Sequence, residues 1–266
     1  MKDAVILNAG SGAWAFEELG QQLSRAFGVP LSEEPAAFNY VLAWESKSPP
    51  SGQCFVPFDG IEVATDKRFL ASTFAQNGVP TPQTYLLDSV ATLNDFLLRE
   101  RNQRWLLKWP TGCGASGHRF VVAGDEIVED WPLPFVVQEF IPMERPEVFR
   151  LYAVAGETFG WNARRFAGEA PSVFVAHAQG ARYEEVGKAP DAAIEVARRA
   201  LEATNLWNSF GCADLLRDAH GNWLALEVNT DGRWMHVDRD VSLPGIVGEI
   251  ETRLAAAFQN WVSVRL

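Results

Sequence analysis

Asp214, Glu227 and Asn229 are the residues whose types and spacing point most directly to chemistry. They sit in two apolar runs, 211–217 (GCADLLR) and 223–229 (WLALEVN), joined by DAHGN, a composition that signals a hairpin turn. Residues two apart in a strand share a face, so Glu227 and Asn229 project together, with Asp214 on the other arm. Two carboxylates and an amide oxygen held close on rigid strands form an all-oxygen set suited to magnesium. Leu215, Leu216, Leu224, Leu226 and Val228 make these strands apolar, and unpartnered carboxylates there would be costly. The alternative is a solvated hairpin face bearing ordinary polar residues.

A second cluster occupies residues 104–122, RWLLKWPTGCGASGHRFVV. Lys108 stands in an apolar run that breaks at Pro110 into a loop with Gly112, Gly114 and Gly117, and a second apolar run follows at 120–123. The glycines fit G-x-G-x-x-G, which in a dinucleotide fold leads from a strand into a helix. Residues 119–123 are too short and too rich in aromatic and β-branched side chains for that, so strand, loop, strand is the better reading. Glycines let backbone N–H groups approach phosphate oxygens with no Cβ in the way, and a lysine one strand away supplies a point charge. An ordinary Gly-rich hairpin turn, with a lysine snorkelling out of a strand, is the plainer alternative. His118 follows the loop and suits either a phosphate contact or a structural role.

Three units must position these groups. In residues 1–64, a buried strand at 4–7 leads through Asn8-Ala-Gly10-Ser-Gly12-Ala-Trp-Ala15 into a helix with Phe16, Leu19, Leu23 and Phe27 at helical spacing, stopped by Gly28 and Pro30. G-x-G-x-x-A in that setting is a Rossmann-type fingerprint, and Glu45, at the end of the next strand (40–44), could serve as its ribose-binding acid. An NAD(P)-binding oxidoreductase is therefore the rival. Only one further strand-like run, 56–63, follows, which is too little for a complete dinucleotide domain and predicts a short Rossmann-like lobe.

Residues 65–135 open with Thr65 or Asp66 capping a helix that carries Phe69, Leu70, Thr73 and Phe74 on one face. A strand at 84–87, a helix capped by Ser89 with Leu93, Phe96 and Leu97 inward, and the lysine strand with its loop complete that unit. The stretch 135–141, FVVQEFI, reads as a buried strand that leads into a third unit, 136–266. That unit is mostly antiparallel: strands at 148–154 and 158–165 around Ala155-Gly156-Glu157, a strand at 173–178, a helix opened by Pro190, and the carboxylate hairpin. A final helix carries an apolar stripe of Ile246, Ile250, Leu254, Ala257, Phe258 and Trp261. The expected class is mixed α/β and α+β.

Composition bounds the rest. With 266 residues and 47% hydrophobic content, the chain can bury real cores. Cys54, Cys113 and Cys212 have no disulfide or zinc spacing. The opening MKDAVILNAGSG has too short an apolar run for a signal segment, and no stretch reaches membrane-span length, so a cytoplasmic protein without a membrane partner is expected. A formal net charge of −11 excludes a general nucleic-acid surface, which lysine and arginine must build.

Taken in order, the short lobe, DKRFLASTFAQNGVPTP, LLKWPTGCGASGH, VVQEFI and CADLL…ALEVN together resemble the ATP-grasp superfamily over residues 66–229. The resemblance implies an ATP-grasp fold with a central lid subdomain and a C-terminal antiparallel-sheet subdomain, using ATP and Mg2+. It implies that Lys67 and Lys108 contact the ATP phosphates beneath a lid containing Gly112, Gly114, Ser116 and Gly117. Gln138, Glu139, Phe140 and Ile141 match the hinge that recognises adenine, and Glu147 matches the ribose-binding acid. Asp214, Glu227 and Asn229 match the magnesium ligands, with Glu227 bridging.

The segment VFRLYAVAGETFGWNARR is most similar to ligases of the glutathione synthetase and ribosomal-protein glutamate ligase type. There, arginines equivalent to Arg150 and to Arg164 or Arg165 bind substrate or the transferring phosphate. Adjacent strand residues point to opposite faces, so at most one of that pair enters the site, and Arg165 is the expected one. His177 and Gly180 stand where those ligases carry Asn-x-x-x-Gly-Gly, and Thr230-Asp-Gly-Arg233-Trp234 replaces the usual Pro-Gly. The implied activity is ADP-forming ligation of a small-molecule or peptide carboxylate to an amine through an acyl phosphate, with Lys108, Arg150 and Arg165 catalytic. A phosphotransferase that stops before ligation is the alternative, and a homodimer is common in the family.

Overall fold

The computed structural model describes residues 3–112, 114, 117–230 and 245–266. The first lobe is a parallel sheet built from β1 (Ala4–Asn8), β2 (Leu31–Ser32), β3 (Phe38–Ala43) and β4 (Gln53–Cys54) in the order β2-β1-β3-β4. Every residue of β1 is buried, as a run of apolar side chains covered on both faces requires. Helix α1 (Glu17–Phe27) ends where Gly28 turns to φ 67° and its N–H reaches Ser24 O, a left-handed cap that glycine takes without a Cβ penalty.

The strand-like run at 56–63 proves to be mostly helix: α2 covers Phe58–Thr65. Ile61 and Val63 suggested a strand, but Pro57 at the N-cap position leads into the helix with φ −56°. Gly60 then lets the helix settle against the C-terminal unit, since a Cβ there would stand 2.7 Å from both Thr204 O and the Leu206 side chain.

The central unit begins with α3 (Lys67–Gln76), whose N-cap Asp66 accepts from Arg68 N at 2.8 Å. Leu70 and Phe74 turn inward, whereas Phe69, expected beside them, is 55% exposed. One residue is about 100° of helix, enough to carry a neighbour off a narrow buried stripe. Strand β5 (Thr84–Leu87) and helix α4 (Val90–Arg99), held by a Ser89/Thr92 capping box, precede β6 (Trp105–Lys108), β7 (His118–Val121) and β8 (Phe135–Glu139). Their antiparallel order is β5-β8-β6-β7. The break expected between residues 135 and 136 thus falls inside β8, all of which belongs to this sheet. A separate core of Leu93, Phe96, Trp105, Leu107, Phe135 and Val137 lies between the sheet and α4.

The C-terminal sheet is antiparallel, in the order β11-β10-β9-β12-β13. It is formed by β9 (Glu147–Val154), β10 (Glu157–Arg165), β11 (Arg182–Glu185), β12 (Phe210–Arg217) and β13 (Trp223–Asn229). No strand forms at 173–178. The place beside β10 is taken by β11, and residues 173–178 run irregularly into a 3-10 turn at His177–Gln179. Helix α5 (Asp191–Ala203) packs on β12 and β13. The last helix, α6 (Ile246–Ser263), returns to the first lobe: Phe258 lies 5.1 Å from Phe27, 5.8 Å from Phe55 and 6.3 Å from Tyr40 between ring centroids. One hydrophobic core therefore runs through the parallel lobe, α6 and the C-terminal sheet. Among the described residues, no helix is long and apolar enough to cross a membrane.

Candidate functional site

A cavity of about 370 Å3 opens between the central and C-terminal sheets. From the central side β6 carries in Lys108, and β8, its neighbour, carries in Gln138. Lys108 is 8% exposed and donates from Nζ to Gln138 Oε1. Burial pushes its pKa down to about 8, with the Lys67 charge adding to the shift and Glu227 opposing it. Lys67, the first residue of α3, donates from Nζ to Gly112 O at 2.9 Å, while its backbone N–H binds Pro110 O at 2.8 Å. This helix start and the glycine loop are thereby fastened together.

Gly112 and Gly114 line the cavity with φ of 113° and 69°, backbone values that glycine adopts readily. Gly117 does not line it; its carbonyl accepts from Trp109 N at 3.3 Å. Ser116, like Cys113, Arg233 and Trp234, lies outside the described residues. His118 pairs in register with Lys108, and burial together with the two lysines drives its pKa down to about 3, so its imidazole is neutral. Phe140, Ile141 and Met143 form an apolar wall. The N–H groups of Glu139 and Phe140 are already spent on Gln83 O and Arg104 O, at 2.8 and 2.9 Å.

The facing wall comes from the C-terminal sheet. Asp214 stands opposite Glu227 across β12 and β13 and opposite Arg150 across β12 and β9. Arg150 grips Asp214 with two parallel bonds, Nε to Oδ1 at 2.6 Å and Nη2 to Oδ2 at 2.9 Å, and Arg164 Nη2 reaches Oδ2 at 3.3 Å. Burial opposes ionisation of this carboxyl, which is 1% exposed, but the Arg150 and Arg164 charges outweigh it and hold the pKa below the usual carboxylate range.

A divalent cation can be tested against this donor set. Among the described residues, no group of three or more His, Cys, Asp or Glu side chains could hold a metal, and the oxygen donor beside the two carboxylates on this wall is the Asn229 amide. Asn229 lines the cavity, and its buried Nδ2 makes no hydrogen bond. Asp214, Glu227 and Asn229 place two carboxylates and an amide oxygen on one wall, an oxygen set that fits magnesium.

Arg165 and Glu147, both named from sequence, also stand outside the cavity. Arg165 points away from the cavity and binds Glu147 at 2.6 Å and Glu184 at 3.0 Å, while its neighbour Arg164 enters. Strand alternation sent one arginine inward, and the register that sets Arg165 opposite Glu147 decided which. Glu147 is consequently held in an ion pair outside the cavity rather than offered to a ribose. His177 lines the cavity, whereas Gly180 only closes the 3-10 turn.

Sequence reasoning missed Tyr183 and Met143. Tyr183 accepts from Arg164 Nη1 at 3.3 Å, and its strand RYEE escaped notice because charged residues flank the single inward aromatic. In the first lobe, Glu45 accepts from Ser11 N at 2.6 Å, and a Cβ on Gly10 would meet the Glu45 side chain at 2.3 Å. The fingerprint loop thus folds back onto the carboxylate that the sequence offered to a ribose.

Solved structures share this architecture. PsnB, an ATP-grasp ligase complexed with a minimal precursor, superposes with a TM-score of 0.67 at 13% identity, over 96% of this chain and 99% of that one. The D-cycloserine synthetase DcsG gives 0.65 at 17% identity, covering 96% and 98%. D-alanine–D-alanine ligase from Bacillus anthracis complexed with ATP gives 0.65 at 16%, covering 97% and 95%. No curated protein matches the sequence. Residues 64–231 match the family model of the ATP-grasp domain. With the lysines and glycine loop of one sheet facing the carboxylates of another, and well over half of the sequence inside that match, the chain belongs to the ATP-grasp family.

Proposed function

We propose that the protein is an ADP-forming carboxylate–amine ligase. The observation that carries this reading is the convergence, in one cavity, of Lys67 and Lys108 from the central unit with Asp214, Glu227 and Asn229 from the C-terminal sheet. That is the charge pattern a magnesium-bound triphosphate needs, with ammonium groups on one side and oxygen donors on the other.

The base lies against Phe140, Ile141 and Met143, with the Ile141 backbone available to its polar edge. Lys67 and Lys108 hold the phosphate oxygens as the substrate carboxylate attacks the γ-phosphorus. One O–P bond forms as the β–γ bridge breaks, giving ADP and an acyl phosphate. The amine then attacks the acyl carbon, phosphate leaves and the nitrogen loses its proton, so an amide remains. Arg164, with Arg150 behind it, stabilises charge on the transferred group. Glu227, Asn229 and Asp214 would hold a magnesium ion, which would supply charge neutralisation on the phosphates. No covalent nucleophile from the protein is required; positioning and electrostatics suffice.

For substrate class, PsnB has been solved with its precursor peptide and AMPPNP, and with a minimal precursor, Mg and ADP. A peptide or small-molecule carboxylate is accordingly the class to screen. The test is ADP release with candidate carboxylates, each with and without an amine pool, followed by mass spectrometry. ADP release accompanied by loss of water from the joined substrates supports a ligase. A phosphorylated product unaffected by amines indicates a phosphotransferase, and ADP release under none of the conditions counts against both.

A further inference from the structure

A line of polar groups crosses three strands of the central sheet and ends on Lys108. Gln138 on β8 lies opposite Thr84 on β5 and opposite Leu106 on β6. Lys108 Nζ donates to Gln138 Oε1, Gln138 Nε2 donates to Thr84 Oγ1 at 2.9 Å, and the Thr84 hydroxyl donates to Pro82 O at 2.9 Å. The polarity of every link is determined. An ammonium has donors and no acceptor, so it must face the amide oxygen. The amide NH2 then needs an acceptor, and Thr84 supplies one because its only proton is already committed to Pro82 O.

Gln138 is 6% exposed and Lys108 8%, so solvent offers little competition for these bonds. Around the ammonium, Glu227 attracts and Lys67 repels, and His118 lies opposite in register. Without the amide oxygen, the net pull is toward Glu227, on the far wall. From this geometry we infer that Thr84 is a positioning residue: by fixing which way the Gln138 amide faces, it holds the Lys108 ammonium where a nucleotide phosphate is to be bound. The inference rests on the cavity being an ATP site and adds a residue that touches neither substrate nor metal.

Thr84→Val keeps the shape and removes the acceptor. The Gln138 NH2 then has no partner, and a turned amide presents N–H groups to a cation. Calorimetric titrations with AMPPNP and with adenosine separate this effect from general damage. Thr84→Val should weaken AMPPNP about tenfold or more, in keeping with loss of a hydrogen bond to a charged group, while adenosine binds as to the parent. Thr84→Ser should restore AMPPNP binding to within about twofold. In a Lys108→Met background, Thr84→Val should change AMPPNP affinity less than about twofold, since coupled residues lose their effect when the partner is gone.

Unchanged AMPPNP binding in Thr84→Val overturns the inference. So does equal loss of adenosine binding, or an undiminished effect in the Lys108→Met background. Failure of the unmutated protein to bind AMPPNP would remove the ATP site itself, a distinguishable result.

Discussion

At the scale of single residues, the site is governed by how charges are buried. A free lysine keeps its proton to about pH 10.4, but Lys108 is pushed down to about 8 by burial. The charged form is the one that binds phosphate, so nucleotide affinity should fall as pH rises through about 8. Dissociation constants measured between pH 7 and 9.5 check this; a flat profile to pH 9.5 would contradict it. The two adjacent arginines give a sharper contrast. Arg164 lines the cavity, whereas Arg165 is tied to Glu147 and Glu184 outside it. Arg164→Ala should lower turnover by about a hundredfold, the usual scale for losing a group that stabilises developing charge, and Arg165→Ala by less than about threefold. Comparable losses in both variants would mean that the inward arginine has been misassigned. Glu227→Gln belongs with Arg164→Ala, with an expected loss of about a hundredfold or more.

At the scale of elements, the strands of the C-terminal sheet act as a ruler that sets Arg150, Asp214 and Glu227 side by side on β9, β12 and β13. Asp214 answers two guanidiniums at once, so Asp214→Asn leaves buried positive charge uncompensated. It should cost about 3–5 kcal/mol in denaturant unfolding, as when one partner of a buried pair is removed. Much of this layout was legible in the sequence because it is local. Alternation places Glu227 and Asn229 on one face, Asp66 and Ser89 announce helix starts, and the run around Lys108 declares strand, loop, strand. What the sequence did not disclose depends on partners distant in the chain. The choice of Arg164 over Arg165 follows from pairing of β10 with β9 and β11. Helix α2 was hidden by its β-branched residues until its packing on Thr204 and Leu206 was known. Residues 173–178, apolar enough for a strand, instead form part of the cavity wall because β11 occupies the edge they would have joined.

At the scale of the molecule, two units meet across the cavity while the chain end binds the whole together. Helix α6 was expected within the C-terminal unit, yet its aromatic residues complete the first lobe, with Phe258 fully buried among Phe27, Tyr40 and Phe55. Phe258→Ala should therefore cost about 3–5 kcal/mol, read as a lowered midpoint that affects the first lobe and C-terminal sheet together, since they share one core. A nucleotide that bridges the two walls should act in the opposite direction. At a hundred times its dissociation constant, a ligand that binds only the folded state adds about 2.7 kcal/mol of stability.

The most direct test of the central claim is calorimetric titration with a non-hydrolysable ATP analogue, with and without magnesium, beside NADH and NADPH. Magnesium-dependent binding of the ATP analogue that is markedly weakened in Lys108→Ala, with no binding of either nicotinamide cofactor, is the predicted result. Binding of NADH or NADPH alone would contradict it and move the active site to Gly10 and Gly12 in the first lobe.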